Sequence, residues 1–137
     1  VLNIVIGFVI IIALISVLVS AVNTANTMVT SVLERTKEIG IMKAIGATRS
    51  MIRNMFLIES GLVGLIAGLF GVIVGWAISA LAGLVLSALG WNFLAPQFTL
   101  SLFISLILFS TVVGVVSGVT VAIKASLLKP VDALRYE

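Results

Sequence analysis

The sequence has 137 residues, 61% hydrophobic and 9% charged, with a mean hydropathy of +1.36. Soluble domains carry roughly 25% charged residues, so this composition belongs to an integral membrane protein. Lack of cysteine and histidine excludes disulfides, thiolate metal sites, imidazole catalysis and most zinc sites, and the pI near 9.8 comes from basic residues beside apolar blocks, a matter of topology rather than nucleic-acid affinity.

Residues 1–33 carry no charge: VLNIVIGFVIIIALISVLVS is apolar and rich in β-branched residues, and AVNTANTMVTS is mildly polar. The run starts at Val1 without a basic leader, so it reads as a span continuing from an upstream part of a longer polypeptide, not as a secretory signal. About 20 helical residues cross the hydrocarbon, whereas this run reaches about 50 Å, so its polar end from Asn23 onward is expected to project. Ala13, Ser16, Ser20, Asn23, Thr27 and Thr30 recur at spacings of three and four and form one small, polar stripe. Such residues let membrane helices approach closely, so the stripe is expected to be a helix–helix seam, with a solute path as the other reading.

Ser31 to Ser60, SVLERTKEIGIMKAIGATRSMIRNMFLIES, is a polar island holding Glu34, Arg35, Lys37, Glu38, Lys43, Arg49, Arg53 and Glu59. It divides at Ala44–Thr48, where Gly46 is a helix stop and Thr48 an N-cap. Beyond the cap, Arg49 and Arg53 share one face while Met51, Met55, Ile58 and Leu62 share the opposite one, an amphipathic helix at the headgroup boundary. Before it, Ile41, Met42 and Ile45 fall among Glu34 and Glu38 on the helical wheel. A face mixing apolar and charged groups suits docking against a protein, with apolar anchors and charges that set register.

The second charge-free run, residues 60–123, is too long for one span and is expected to hold two, divided at Gly90–Thr99, where Gly90 and Pro96 break the helix, aromatic residues favour an interface and Thr99 caps the next helix. The first of these spans carries Gly61, Gly64, Gly68, Gly71 and Gly75, continued by Ser79 and Ala82. The last carries Thr111, Gly114, Gly118 and Ala122. Rows of this kind, with GxxxG within them, are expected to be packing grooves. All Lys and Arg lie in the island or at Lys124, Lys129 and Arg135, so the island and the C-terminus are expected in the cytoplasm and the Trp91 loop and Val1 outside.

No phosphate loop, HExxH or GxSxG occurs, and the spans hold no carboxylate pair or other charge to mark an ion path. Glu59, at the mouth of the second span, is expected to be an interfacial carboxylate near Arg49 or Arg53.

NTMVTSVLERTKEIGIMKAIGATRSMIRNMFLIES closely resembles the cytoplasmic segment of MacB/FtsX-type ABC transporter permeases, and KASLLKPVDALRYE resembles their terminal pattern. The resemblance covers essentially the whole chain. It implies an all-α integral membrane fold, the last three of four membrane helices, with the N-terminus outside and the C-terminus in the cytoplasm. The implied spans are about 2–30, 56–88 and 100–125, with a cytoplasmic coupling segment at about 31–55, an outer loop at about 90–99 and a cytoplasmic tail at 126–137. It implies that Arg35, Thr36, Lys37, Glu38, Ile39, Gly40, Lys43 and Gly46 contact an ABC ATPase, and that a second permease copy completes a dimer in the cell membrane. No catalytic residue, metal or cofactor is expected in this chain, ATP being held by the partner nucleotide-binding domain, and no nucleic acid is expected. The implied function is coupling of ATPase motion to export or extraction of a peptide, lipoprotein or drug-like substrate. An FtsX-like regulator of an extracytoplasmic cell-wall hydrolase is the second reading, and a free-standing three-helix membrane protein the third.

Overall fold

A computed structural model of the chain describes residues 2–89 and 99–128; the expected outer loop at 90–98 and the tail from 129 onward lie outside them. Four helices succeed one another: α1 (Leu2–Glu34), α2 (Thr36–Ala44), α3 (Arg49–Ala88) and α4 (Leu100–Leu127). Three of them, α1, α3 and α4, are long and apolar enough to cross a membrane. The amphipathic stretch from Arg49 runs unbroken into the second span, because no glycine pair or proline interrupts the helical ladder there. At 40 residues α3 measures about 60 Å, twice the hydrocarbon thickness, so much of it stands outside the bilayer.

Helices α3 and α4 form an extensive antiparallel pair; α1 leans on α4 and scarcely touches α3. The α3–α4 contact is a product of the glycine rows. Gly61, Gly64, Gly68, Gly114 and Gly118 are buried there. A β-carbon on Gly64 would stand 2.6 Å from the Ser110 carbonyl oxygen, and one on Gly114 2.6 Å from that of Ser60. Backbone meets backbone, which only hydrogen side chains allow. Ser110 Oγ donates across the seam to the Gly64 carbonyl at 2.8 Å. The groove ends after Gly68: a β-carbon placed on Gly71 or Gly75 would meet nothing within 4 Å, since the row does not meet α4 beyond that point.

The polar stripe of α1 is not the seam within this chain. Apart from Gly7, the less exposed positions are Val17, Ala21, Thr24, Ala25, Met28, Ser31 and Val32, a neighbouring face. Ser16, Thr27 and Thr30 instead donate to their own helix, to the carbonyls of Ile12, Asn23 and Asn26, which satisfies each hydroxyl without a neighbouring helix. Thr99 occupies the N-cap of α4 but makes no side-chain cap bond; its carbonyl accepts from Leu102 and Phe103 N–H.

A compact apolar core lies at the island end. Met28 and Val32 of α1, Ile39 of α2, Ile52 and Phe56 of α3, and Val121, Ala122 and Ala125 of α4 form one cluster. Elsewhere large apolar side chains face outward along all three long helices, as lipid contact requires.

Candidate functional site

The polar island is built around α2, and each end of that helix is fixed by a separate device. At its start, Arg35 interrupts α1 with φ −101° and ψ 14°, turning the chain. The Thr36 hydroxyl donates to the carbonyls of Val32 and Leu33 at 2.9 and 3.0 Å, satisfying acceptors that the end of α1 leaves open. Arg35 Nη1 stands 3.6 Å from Glu59 Oε1, pinning the corner to α3. Glu59 therefore pairs with Arg35, not with Arg49 or Arg53 as its spacing suggested, because the turn at Arg35 brings α1's end beside α3 rather than leaving Glu59 to its own helix.

At its end, α2 stops where the sequence places a stop. Gly46 has φ +106°, a left-handed conformation that a β-carbon disfavours. The Gly46 N–H donates to the Lys43 carbonyl at 3.1 Å and the Ala47 N–H to that of Met42 at 2.9 Å. These are the paired bonds of a Schellman motif, and Met42 and Ala47 also pack against the apolar cluster. Thr48 then opens α3, its hydroxyl accepting from Met51 N–H at 3.3 Å.

Between these ends α2 has an inner and an outer face. Ile39 is fully buried and Gly40 is buried with it, so both hold the helix against the chain's own core instead of presenting a surface. The outer face carries Arg35, Lys37, Glu38, Ile41, Ile45 and Gly46, all exposed, with Thr36 half-buried. Ile45 is 81% exposed and Ile41 47%, so two branched apolar side chains stand uncovered among charges. That mixture of anchor and charge is the composition of a protein-docking patch.

Lys43 belongs to neither face. Its ammonium donates to the carbonyls of Ser126 at 2.5 Å and Leu128 at 2.6 Å, at the C-terminus of α4. Partial desolvation lowers its pKa from the ordinary lysine value, and the Arg49 guanidinium acts in the same direction. Nothing in the sequence pointed to this contact, since it joins residues more than eighty positions apart.

A separate cavity of about 520 Å³ opens between α1, α3 and α4, with Ser16, Ser20, Gly71, Gly75 and Trp76 among its walls. The second half of the α3 glycine row faces this space rather than a helix.

Residues 10–130 match the family model described as FtsX-like permease C-terminal. The uncharacterized ABC transporter permease YknZ of Bacillus subtilis (strain 168) is 43% identical over 130 residues, covering 92% of this chain and 30% of that protein. The uncharacterized ABC transporter permease MJ1507 of Methanocaldococcus jannaschii is 37% identical over all of this chain and 34% of its own length. The macrolide export ATP-binding/permease protein MacB of Bdellovibrio bacteriovorus is 44% identical over 92% of this chain and 18% of its own length. The chain thus spans about a third or less of these relatives.

Proposed function

This chain belongs to the FtsX-like permease family of ABC transporter permeases, multi-pass proteins of the cell membrane, and from that premise we propose that it transmits the motion of a cytoplasmic ABC ATPase to work on the far side of the bilayer. The observation that carries the proposal is the arrangement of α2. A nine-residue helix is capped at its end by a glycine turn and seated through Ile39 in a cluster to which all three long helices contribute. Its outer side offers Lys37, Glu38, Ile41 and Ile45 to a partner. A push delivered there reaches every span at once.

This geometry and the relatives together support several parts of the reading. The island and the C-terminus lie in the cytoplasm by their Lys and Arg content. The ATPase seats on the outer face of α2, contacted by Arg35, Thr36, Lys37, Glu38, Ile41, Ile45 and Gly46. A second permease copy covers the outward face of α1, where the exposed Ser20, Asn23 and Asn26 line one shallow groove. With the ionisable residues Glu59 and Lys124 only at the island ends of the spans and none between them in residues 60–123, the helices serve better as levers than as walls of a polar conduit. The work done outside is export or extraction of a peptide, lipoprotein or drug-like substrate.

The test is co-purification of the ATPase with the full polypeptide carrying Glu38→Lys or the pair Ile41→Ser and Ile45→Ser. The proposal expects the ATPase to be lost while membrane insertion persists. Retention of the ATPase at wild-type stoichiometry in both variants would remove α2 as its seat.

A further inference from the structure

The helices differ in how they are joined to α2. Helices α1 and α3 are continuous with it through the peptide chain, at Arg35 and at residues 45–48. Helix α4 succeeds α3 from the opposite end of the bundle, so at the α2 end nothing covalent links it to the docking helix. Any displacement of α2 must reach α4 through non-covalent contact.

Beside the α3–α4 seam, two contacts among the described residues join α2 to α4 directly. Ile39 is buried in the cluster that includes Val121, Ala122 and Ala125. Apolar packing of this kind resists exposure to water but sets no direction, and it allows one surface to slide over another. The other contact is directional. Lys43 Nζ bonds the carbonyls of Ser126 and Leu128. A helix's last carbonyls lack partners within the helix and carry the negative end of its dipole. An ammonium placed on them makes charge-assisted bonds, stronger than neutral ones. The buried Ser126 hydroxyl, which lies beside these acceptors, donates to the Ile123 carbonyl instead. Among the described residues, Lys43 is the donor that bonds the Ser126 and Leu128 carbonyls.

Helix α2 is also rigid where Lys43 sits. The Schellman bonds close on the Lys43 and Met42 carbonyls immediately beside it. The base of the lysine is therefore fixed to the turn that starts α3, while its tip is fixed to the end of α4.

We infer that Lys43 is a positioning residue, the tether through which the docking helix holds the end of α4, so that α2 and the end of α4 move as one body. The inference rests on the permease reading. In that reading the lysine is not a contact to the ATPase but the link that recruits the third membrane helix into the stroke.

The experiment uses the full polypeptide isolated with its bound ATPase and placed in lipid nanodiscs. Spin labels are attached at Ala44→Cys and Leu127→Cys, both exposed positions on α2 and α4, and their separation is measured with and without ATP under conditions that block hydrolysis. With Lys43 present, the separation is expected to stay the same in both states. With Lys43→Met, ATP is expected to shift it by several ångström and broaden its distribution, and Lys43→Arg is expected to restore the narrow distribution. A label at Ala44 in each of two copies reports whether ATP moves α2 at all. Movement of α2 with a separation that changes despite Lys43, or one that stays fixed in Lys43→Met, overturns the tether and leaves the permease reading standing. The arm with Lys43 intact needs no substitution there, so a separation that changes in it overturns the tether even when Lys43→Met does not fold. Absence of a bound ATPase, or of any movement of α2, defeats the permease reading and the tether together.

Discussion

Alanine at Gly64 and alanine at Gly71 are the same chemical change seven residues apart on one helix, and the structure gives them opposite signs. At Gly64 the new methyl would lie 2.6 Å from the Ser110 carbonyl oxygen and 3.1 Å from the α-carbons of Gly114 and Thr111. All three are backbone atoms, so relief requires α3 and α4 to separate. Overpacking of this kind costs about 1–3 kcal/mol. Separation also weakens the Ser110-to-Gly64 hydrogen bond, and bonds between membrane helices are worth about 0.6 kcal/mol on average and up to about 1.7. Against this, replacing glycine by alanine inside a helix gains about 1 kcal/mol. The net expectation for Gly64→Ala is a loss of about 1–4 kcal/mol. Gly71→Ala meets no atom within 4 Å and keeps only the gain of about 1 kcal/mol. The assay is reversible unfolding of the full chain in mixed micelles by increasing dodecyl sulfate, monitored by circular dichroism. Equal midpoints for the two variants, or a lower one for Gly71→Ala, would refute the close backbone approach at Gly64.

Other sites give further expected outcomes. Gly46→Ala introduces strain at φ +106° without any steric neighbour, so it should cost about 1–2 kcal/mol in the same titration, with Gly46→Asn costing less because asparagine tolerates the left-handed region. Phe56→Ala empties a fully buried position at the junction of the four helices and should cost about 3–5 kcal/mol; a loss below about 1 would mean that the cluster collapses around the gap. The Arg35–Glu59 pair is partly exposed at 51% and 32%, so a double-mutant cycle on Arg35→Gln and Glu59→Gln should give a coupling under about 1 kcal/mol. A larger coupling would make that pair a principal clamp on the α1–α2 corner.

The sequence was most informative where a local rule acts alone. Charge-free runs marked the long helices, and Gly46 and Thr48 marked the turn between α2 and α3, because a left-handed turn and an N-cap each need particular side chains at one position. Pairing between helices was less legible. The α3 and α4 glycine rows do face each other, but the α3 row was expected to pack along its whole length, and its close approach to α4 ends after Gly68. Periodicity says which residues share a face and not how far the neighbouring helix accompanies them. The α1 stripe failed as an internal seam for the same reason: a small, polar face advertises close approach without naming the partner. Among the docking candidates, Ile39, Gly40 and Lys43 share α2 with Lys37 and Glu38, and only the fold separates the first three, engaged by the chain's own helices, from the outward two. The bond from Lys43 to α4 and the pairing of Glu59 with Arg35 depend on turns that bring distant segments together, which no helical wheel contains.

The way α1 is held also bears on the order in which the bundle is assembled. Its main neighbour is α4 and not α3, although α3 is synthesised first. Before α4 is made, α1 lacks most of the contacts it will have within this chain. The α3–α4 hairpin, closed by its glycine contact, can form as soon as α4 enters the bilayer, and only then does α1 gain its docking surface. Among the described helices, α1 therefore joins the bundle last, after the two spans that follow it in the sequence have closed on each other.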